Sequence, residues 1–173
     1  MPIKDWTDGD RPPASDLNRY PLQQVHVIKV SDQSINSTTL ADDAHLFIDV
    51  AAGTDYWVQL MLIYEADDRD DLKTTFSGPA GATFDWMSDS LGSSVTTSSG
   101  AVSRTLQAMT NQPGPAGVGQ GALTRVVALP RGVLRTAGTA GIFRLRWAKL
   151  ANTAGVATTV YAGSLLRARR LTT

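Results

Sequence analysis

The sequence contains no cysteine. That removes disulfides, zinc–thiolate sites and thiol nucleophiles together, and it suits a protein that must fold alike in reducing and oxidising surroundings. Histidine is nearly as scarce. His26 and His45 are the whole supply of side chains that ordinarily titrate near neutral pH. Each falls in a stretch of strand character without clustered carboxylates, which reads as a packed or surface histidine rather than a catalyst. No Gly-x-Ser-x-Gly elbow, phosphate-binding loop, dinucleotide fingerprint or His-Glu-x-x-His pair occurs. Serine and threonine are plentiful, but hydroxyls without a positioned base are poor nucleophiles. The expectation is a non-enzymatic chain with neither metal nor cofactor.

Long apolar runs are also lacking. None reaches the roughly 18–20 residues of a membrane span, and the opening Met1-Pro2-Ile3-Lys4-Asp5-Trp6 has no signal-peptide core. Synthesis in the cytoplasm, with export only as part of a larger particle, is expected. No stretch of ten or more residues keeps a 3.6-residue apolar period, so helix should be sparse. Acidic residues, finally, are absent beyond Asp89. All sixteen lie at or before it and ten of the sixteen basic residues lie after it, so residues 1–89 carry −10 and residues 90–173 carry +10. Interleaving the halves in one fold would neutralise both; a second reading sets an acidic edge of one subunit against a basic edge of the next. Net neutrality disfavours nucleic acid as a partner.

What is present divides the 173 residues in two. Residues 1–24 hold Pro2, Pro12, Pro13 and Pro21 among aspartates, with Trp6, Leu17, Tyr20 and Leu22 among few bulky apolar side chains. Such a segment cannot build its own core and reads as a docking arm. From residue 25 to 173, β-branched and aromatic runs alternate with Gly, Pro, Asn and Ser. The spacing predicts strands over 25–30, 45–50, 56–65, 72–76, 82–87, 104–109, 122–129, 133–136, 142–150 and 158–171. Turn signals every 8–15 residues suggest an all-β chain, a β-sandwich or jelly roll in one domain. The run 56–65 is apolar in both alternating sets, which predicts a central strand covered on each face. Val58, Leu60, Leu62, Phe143, Leu145 and Trp147 are the predicted core, with Trp57 packed among them.

Three places offer chemistry. Glu65, Asp67, Asp68, Asp70 and Asp71 put five carboxylates into seven positions, enough oxygen for calcium. Their spacing does not match an EF-hand, however, and Arg69 sits among them, so the run reads as a solvated turn. Trp86, beside Asp85 and near the 88–101 loop, is the candidate aromatic platform for a glycan. In the strand 142–150, Arg144 and Arg146 face away from Phe143, Leu145 and Trp147 and form a candidate interface, because arginine is enriched at such surfaces.

The opening Trp6-Thr7-Asp8-Gly9-Asp10, with Ala14-Ser15-Asp16-Leu17-Asn18-Arg19-Tyr20 after it, resembles the start of many small virion proteins of tailed phages. They are often labelled minor tail or tail-appendage proteins, especially among phages of actinobacteria. Arg11-Pro12-Pro13 replaces their usual spacer. The ending Thr159-Val160-Tyr161-Ala162-Gly163-Ser164-Leu165-Leu166-Arg167-Ala168-Arg169-Arg170 is similar to their closing strand, and 40–64 to their polar turn followed by a short and a long strand. The resemblance implies a β-sandwich virion component, located in the tail or on the capsid surface of the particle, that assembles with other virion proteins. It also implies an N-terminal anchor, here Trp6, Asp8, Leu17 and Tyr20. Self-association as a trimer is the favoured expectation, since rings larger than a dimer need two different surfaces to meet. The alternative is a receptor- or glycan-binding adhesin module of a phage tail.

Overall fold

The computed structural model describes residues 24–92, 97, 100–118, 124–153 and 155–171. The arm residues Trp6, Asp8, Leu17 and Tyr20 lie outside them. In chain order the strands are β1 (Gln24–Ile28), β2 (Gln33–Ile35), β3 (Ala41–Val50), β4 (Asp55–Glu65) and β5 (Leu72–Ser77). Then follow β6 (Thr83–Met87), β7 (Ser90–Leu91), β8 (Val102–Ser103), β9 (Leu106–Gln107) and β10 (Val126–Ala128). The last are β11 (Arg131–Arg135), β12 (Gly141–Lys149), β13 (Thr158–Val160) and β14 (Leu165–Leu171). The described chain is all-β, as the turn spacing predicts.

Two sheets carry the fold. The larger has nine strands along the path β1-β14-β4-β11-β6-β9, with β10 and β13 also on β4 and β2 on β13; the smaller is β3-β12-β5. Every pairing is antiparallel. The eleven residues of β4 organise the larger sheet. One flank pairs with β14 and then β13, the other with β11 and then β10. The two breaks occur near the same height. Pro130 has no N–H to donate, but its carbonyl accepts from the Leu60 N–H. Across β4, the turn at Gly163 (φ 88°) splits what reads in sequence as one strand over 158–171.

Period-2 alternation decides what lies between the sheets. Tyr56, Val58, Leu60, Leu62 and Tyr64 of β4 are all buried, as are Phe143, Leu145 and Trp147 of β12, so the predicted core residues meet there. At its centre Phe76 of β5 and Phe143 stack with ring centroids 5.3 Å apart, and Phe84 of β6 meets each of them edge-on. Trp86 closes the cluster, 4.9 Å from Phe76. Gly132 of β11 makes that approach feasible: a Cβ there would stand 2.1 Å from the Asp85 carbonyl oxygen and 2.6 Å from Trp86 Cα.

Three expectations change. Only one face of β4 is fully covered; on the other, Trp57, Gln59 and Ile63 are half-buried and Met61 is exposed. Trp86 is no loop platform, being 1% exposed with its indole N–H donated to the Ala108 carbonyl at 3.0 Å. The tryptophans have exchanged roles, with Trp86 in the core and Trp57 outside it.

Replacing Leu60, 2% exposed, with Ala should cost about 2–5 kcal/mol, read as a lower denaturation midpoint with an unchanged slope. Gly132→Ala should destabilise by about 1–3 kcal/mol through overpacking. Gly138→Ala is the control, since nothing lies within 4 Å of its Cβ position.

Candidate interaction surface

The outer face of the larger sheet forms a grid whose rows follow from strand register. One row runs Gln24–Arg169–Trp57–Val133–Asp85 across β1, β14, β4, β11 and β6. The next runs His26–Arg167–Gln59–Arg131–Met87–Leu106 and reaches β9. A third holds Ile28–Leu165–Met61, and beyond it Val127 opposes Ile63. Ile28 is 52% exposed, Met61 37%, Val127 48% and Leu129 43%. The face thus has an apolar band at the Met61 end and an arginine-bearing zone at the Trp57 end.

The arginines on this side are not equivalent. Arg135 pairs with Asp85 at 2.6 Å, while Arg131 and Arg104 both reach Asp89 at 2.8 Å. Arg167 instead donates its Nε–H to Gln59 Oε1 at 2.6 Å. The Arg169 side chain makes no ion pair or hydrogen bond among the described residues. With Trp57, Gln59 and Gln24, these two line an open groove of about 310 Å³.

Arg144 and Arg146 lie on the outer face of the smaller sheet. Both pair with Asp42, Arg146 at 3.0 Å, and Arg144 also sits 5.2 Å from the Phe47 ring centre. They are thus engaged within the chain. Ala148, on the same alternation, is fully buried. Among the described residues six ion pairs join a cation after Asp89 to an acid at or before it, so interleaving answers much of the charge split inside one fold. His26 lies on an exposed row at the sheet edge and His45 is half-buried in β3.

The acidic run is not a solvated turn. Asp67, Asp70 and Asp71 are buried, and each has a structural task. Asp70 Oδ2 lies 2.7 Å from Lys149 Nζ, with both side chains inaccessible to solvent. Asp67 binds Arg69 at 2.8 Å. Asp71, at φ 48°, accepts the Gly117 N–H at 2.7 Å. A Cβ on Gly117 would lie 2.4 Å from the carbonyl oxygens of both Ala66 and Asp67, so only glycine lets the 113–118 loop close on this run. Among the described residues no group of three or more His, Asp or Glu could hold a metal ion.

Trp57, Arg167 and Arg169 escape a reading by residue type. Their signal is alternation: Leu166 and Ala168 point inward, which sends Leu165, Arg167 and Arg169 outward beside the odd-numbered residues of β4.

No protein-family model matches the sequence, and no curated protein matches it either. Among solved structures the chain is similar to the tripod from the baseplate of bacteriophage Tuc2009. That match has 9% identity over 99% of this chain and 75% of that one, at a TM-score of 0.34. It is also similar to the VP2 protein of infectious bursal disease virus, with 12% identity over 98% of this chain and 43% of that one, at a TM-score of 0.24. Neither superposition, at such scores, carries weight for fold or function.

Burial pushes the Asp71 carboxyl up to about 6; the nearby Asp68 and Asp70 add to the rise and the Gly117 N–H opposes it. A carboxyl raised in the folded state binds its proton there while the unfolded chain has already released it. Asp71 therefore costs stability progressively as pH rises from about 4 to 6, and the full cost persists above that. Asp71→Asn keeps an acceptor for Gly117 and removes the charge. Its stability relative to the parent should rise between pH 4 and pH 7 in paired denaturation curves, and a flat difference would show that Asp71 is not the titrating group.

Proposed function

We propose that this chain is a non-enzymatic structural subunit of a tailed-bacteriophage virion. It acts by joining copies of itself and other virion proteins, with the segment before β1 as the anchor. The observation that carries the assembly reading is the apolar band Ile28–Leu165–Met61, extended by Val127 and Leu129, which no described element covers. Contiguous exposed apolar side chains on an outer sheet face are the kind of surface that protein contacts use. The adjoining arginines add orientation and encounter rate more than affinity.

The virion assignment rests on the resemblance of the Trp6–Asp10 opening and the 159–170 ending to small tailed-phage proteins. Trp6, Asp8, Leu17 and Tyr20 are the anchoring side chains in this reading. A trimer is favoured because a cyclic ring larger than a dimer joins two unlike surfaces, and the two outer sheet faces differ in character. Arg144 and Arg146, held by Asp42, would orient such a contact from the smaller sheet. The adhesin alternative loses Trp86 as its platform.

Sedimentation of the full chain should show a reversible oligomer, and Met61→Glu with Leu129→Glu should weaken it at least tenfold without unfolding it. A strictly monomeric parent at high concentration would overturn self-assembly. Deleting residues 1–22 should leave a folded domain that no longer enters the particle; normal incorporation would dismiss the anchor.

A further inference from the structure

The groove at the Trp57 end is distinct from the apolar band and does not depend on the assembly reading. Its chemistry is polar, cationic and aromatic. Gln24, Arg169 and Trp57 are successive cross-strand neighbours in one row, with Arg167 and Gln59 beside them in the next. Strands lie about 4.8 Å apart and alternate residues of a strand about 6.7 Å apart. These side chains therefore surround an area about as wide as one sugar ring.

The electrostatics of the sheet single this place out. Arg104, Arg131 and Arg135 are each answered by Asp85 or Asp89. Arg167 and Arg169 have no carboxylate among the described residues. The Gln59 amide oxygen takes only Arg167 Nε, which leaves both terminal nitrogens of that guanidinium for a second acceptor. A planar fork with free N–H groups matches a carboxylate or phosphate. The indole of Trp57, half-buried in the same lining, supplies an apolar face with a polar tip. Gln24 and Gln59 carry amides that both donate and accept, as hydroxyl-rich ligands require.

We propose that this groove binds an acidic saccharide. The sugar ring lies against Trp57, its carboxylate or phosphate meets Arg167 and Arg169, and its hydroxyls bond Gln24 and Gln59. A neutral glycan would leave the two guanidiniums unanswered. A small free anion would leave the indole and the amides unused.

The test uses the full chain on a printed array of neutral, uronate-bearing, sialylated and phosphate-bearing glycans. Titration calorimetry of the best acidic oligosaccharide and its neutral counterpart follows. The expected result is selection of acidic glycans, with the neutral counterpart at least tenfold weaker. Affinity should also fall as salt is raised. Trp57→Ala and the pair Arg167→Gln/Arg169→Gln should each lower affinity at least tenfold while the melting temperature stays near that of the parent. Arg104→Gln, whose guanidinium is paired with Asp89, should leave it unchanged. Equal binding of neutral and acidic glycans, or no binding across the array, overturns the proposal. So does binding that survives Trp57→Ala, or inorganic phosphate competing as well as the saccharide, either of which would reduce the groove to an anion site. If Trp57→Ala unfolds the chain, Trp57→Phe with the arginine pair decides the matter in the same way.

Discussion

The larger sheet depends on β4 being hydrogen-bonded along both flanks by four separate strands. A strand in that position cannot shift by one residue without turning Tyr56, Val58, Leu60, Leu62 and Tyr64 out of the core. Its register therefore fixes where β11, β14, β10 and β13 can sit, and through them β6, β9, β1 and β2. The same constraint creates the outer face, because the odd-numbered residues of β4 must point away from the core. Core and candidate surface are two sides of one alternation.

Polar groups inside the sandwich tie its parts together rather than adding freely to stability. Lys29, just after β1, lies 2.9 Å from Asp43 of β3, with both side chains inaccessible to solvent. Asp43 also accepts the backbone N–H groups of His45 and Leu46 and the indole N–H of Trp147. Burial alone would push this carboxyl up, yet Lys29 and the two N–H groups hold it below its ordinary value. The Lys149–Asp70 pair does similar work at the last residue of β12, where Asn36 and Asn152 complete the ammonium's hydrogen bonds. A buried ion pair contributes little net stability over an apolar substitute, but losing one partner strands a charge. Such pairs penalise alternative packings of the two sheets.

The strand pattern and most of the core were legible because period-2 alternation survives any tertiary context. Long strands such as β4 and β12 were read nearly to their ends. Short ones were not: β2, β7 and β8 span only two or three residues, too few for a periodic signal. Trp57 and Trp86 were misassigned for one shared reason. Apolar neighbours in sequence cannot tell which sheet face a second sheet covers. The acidic run misled for another, since its buried carboxylates answer Lys149 and the Gly117 N–H, partners 79 and 46 residues away.

The first described strand and the last are neighbours, with Gln24 opposite Arg169 and Ile28 opposite Leu165. During synthesis, β1 therefore waits until β14 has been made before its sheet partner exists. Loop-closure entropy of that length must be met before the pairing returns any energy. The row containing Gln24, Arg169 and Trp57 likewise exists only once both termini of the domain have come together. A chain cut before β14 thus lacks this surface.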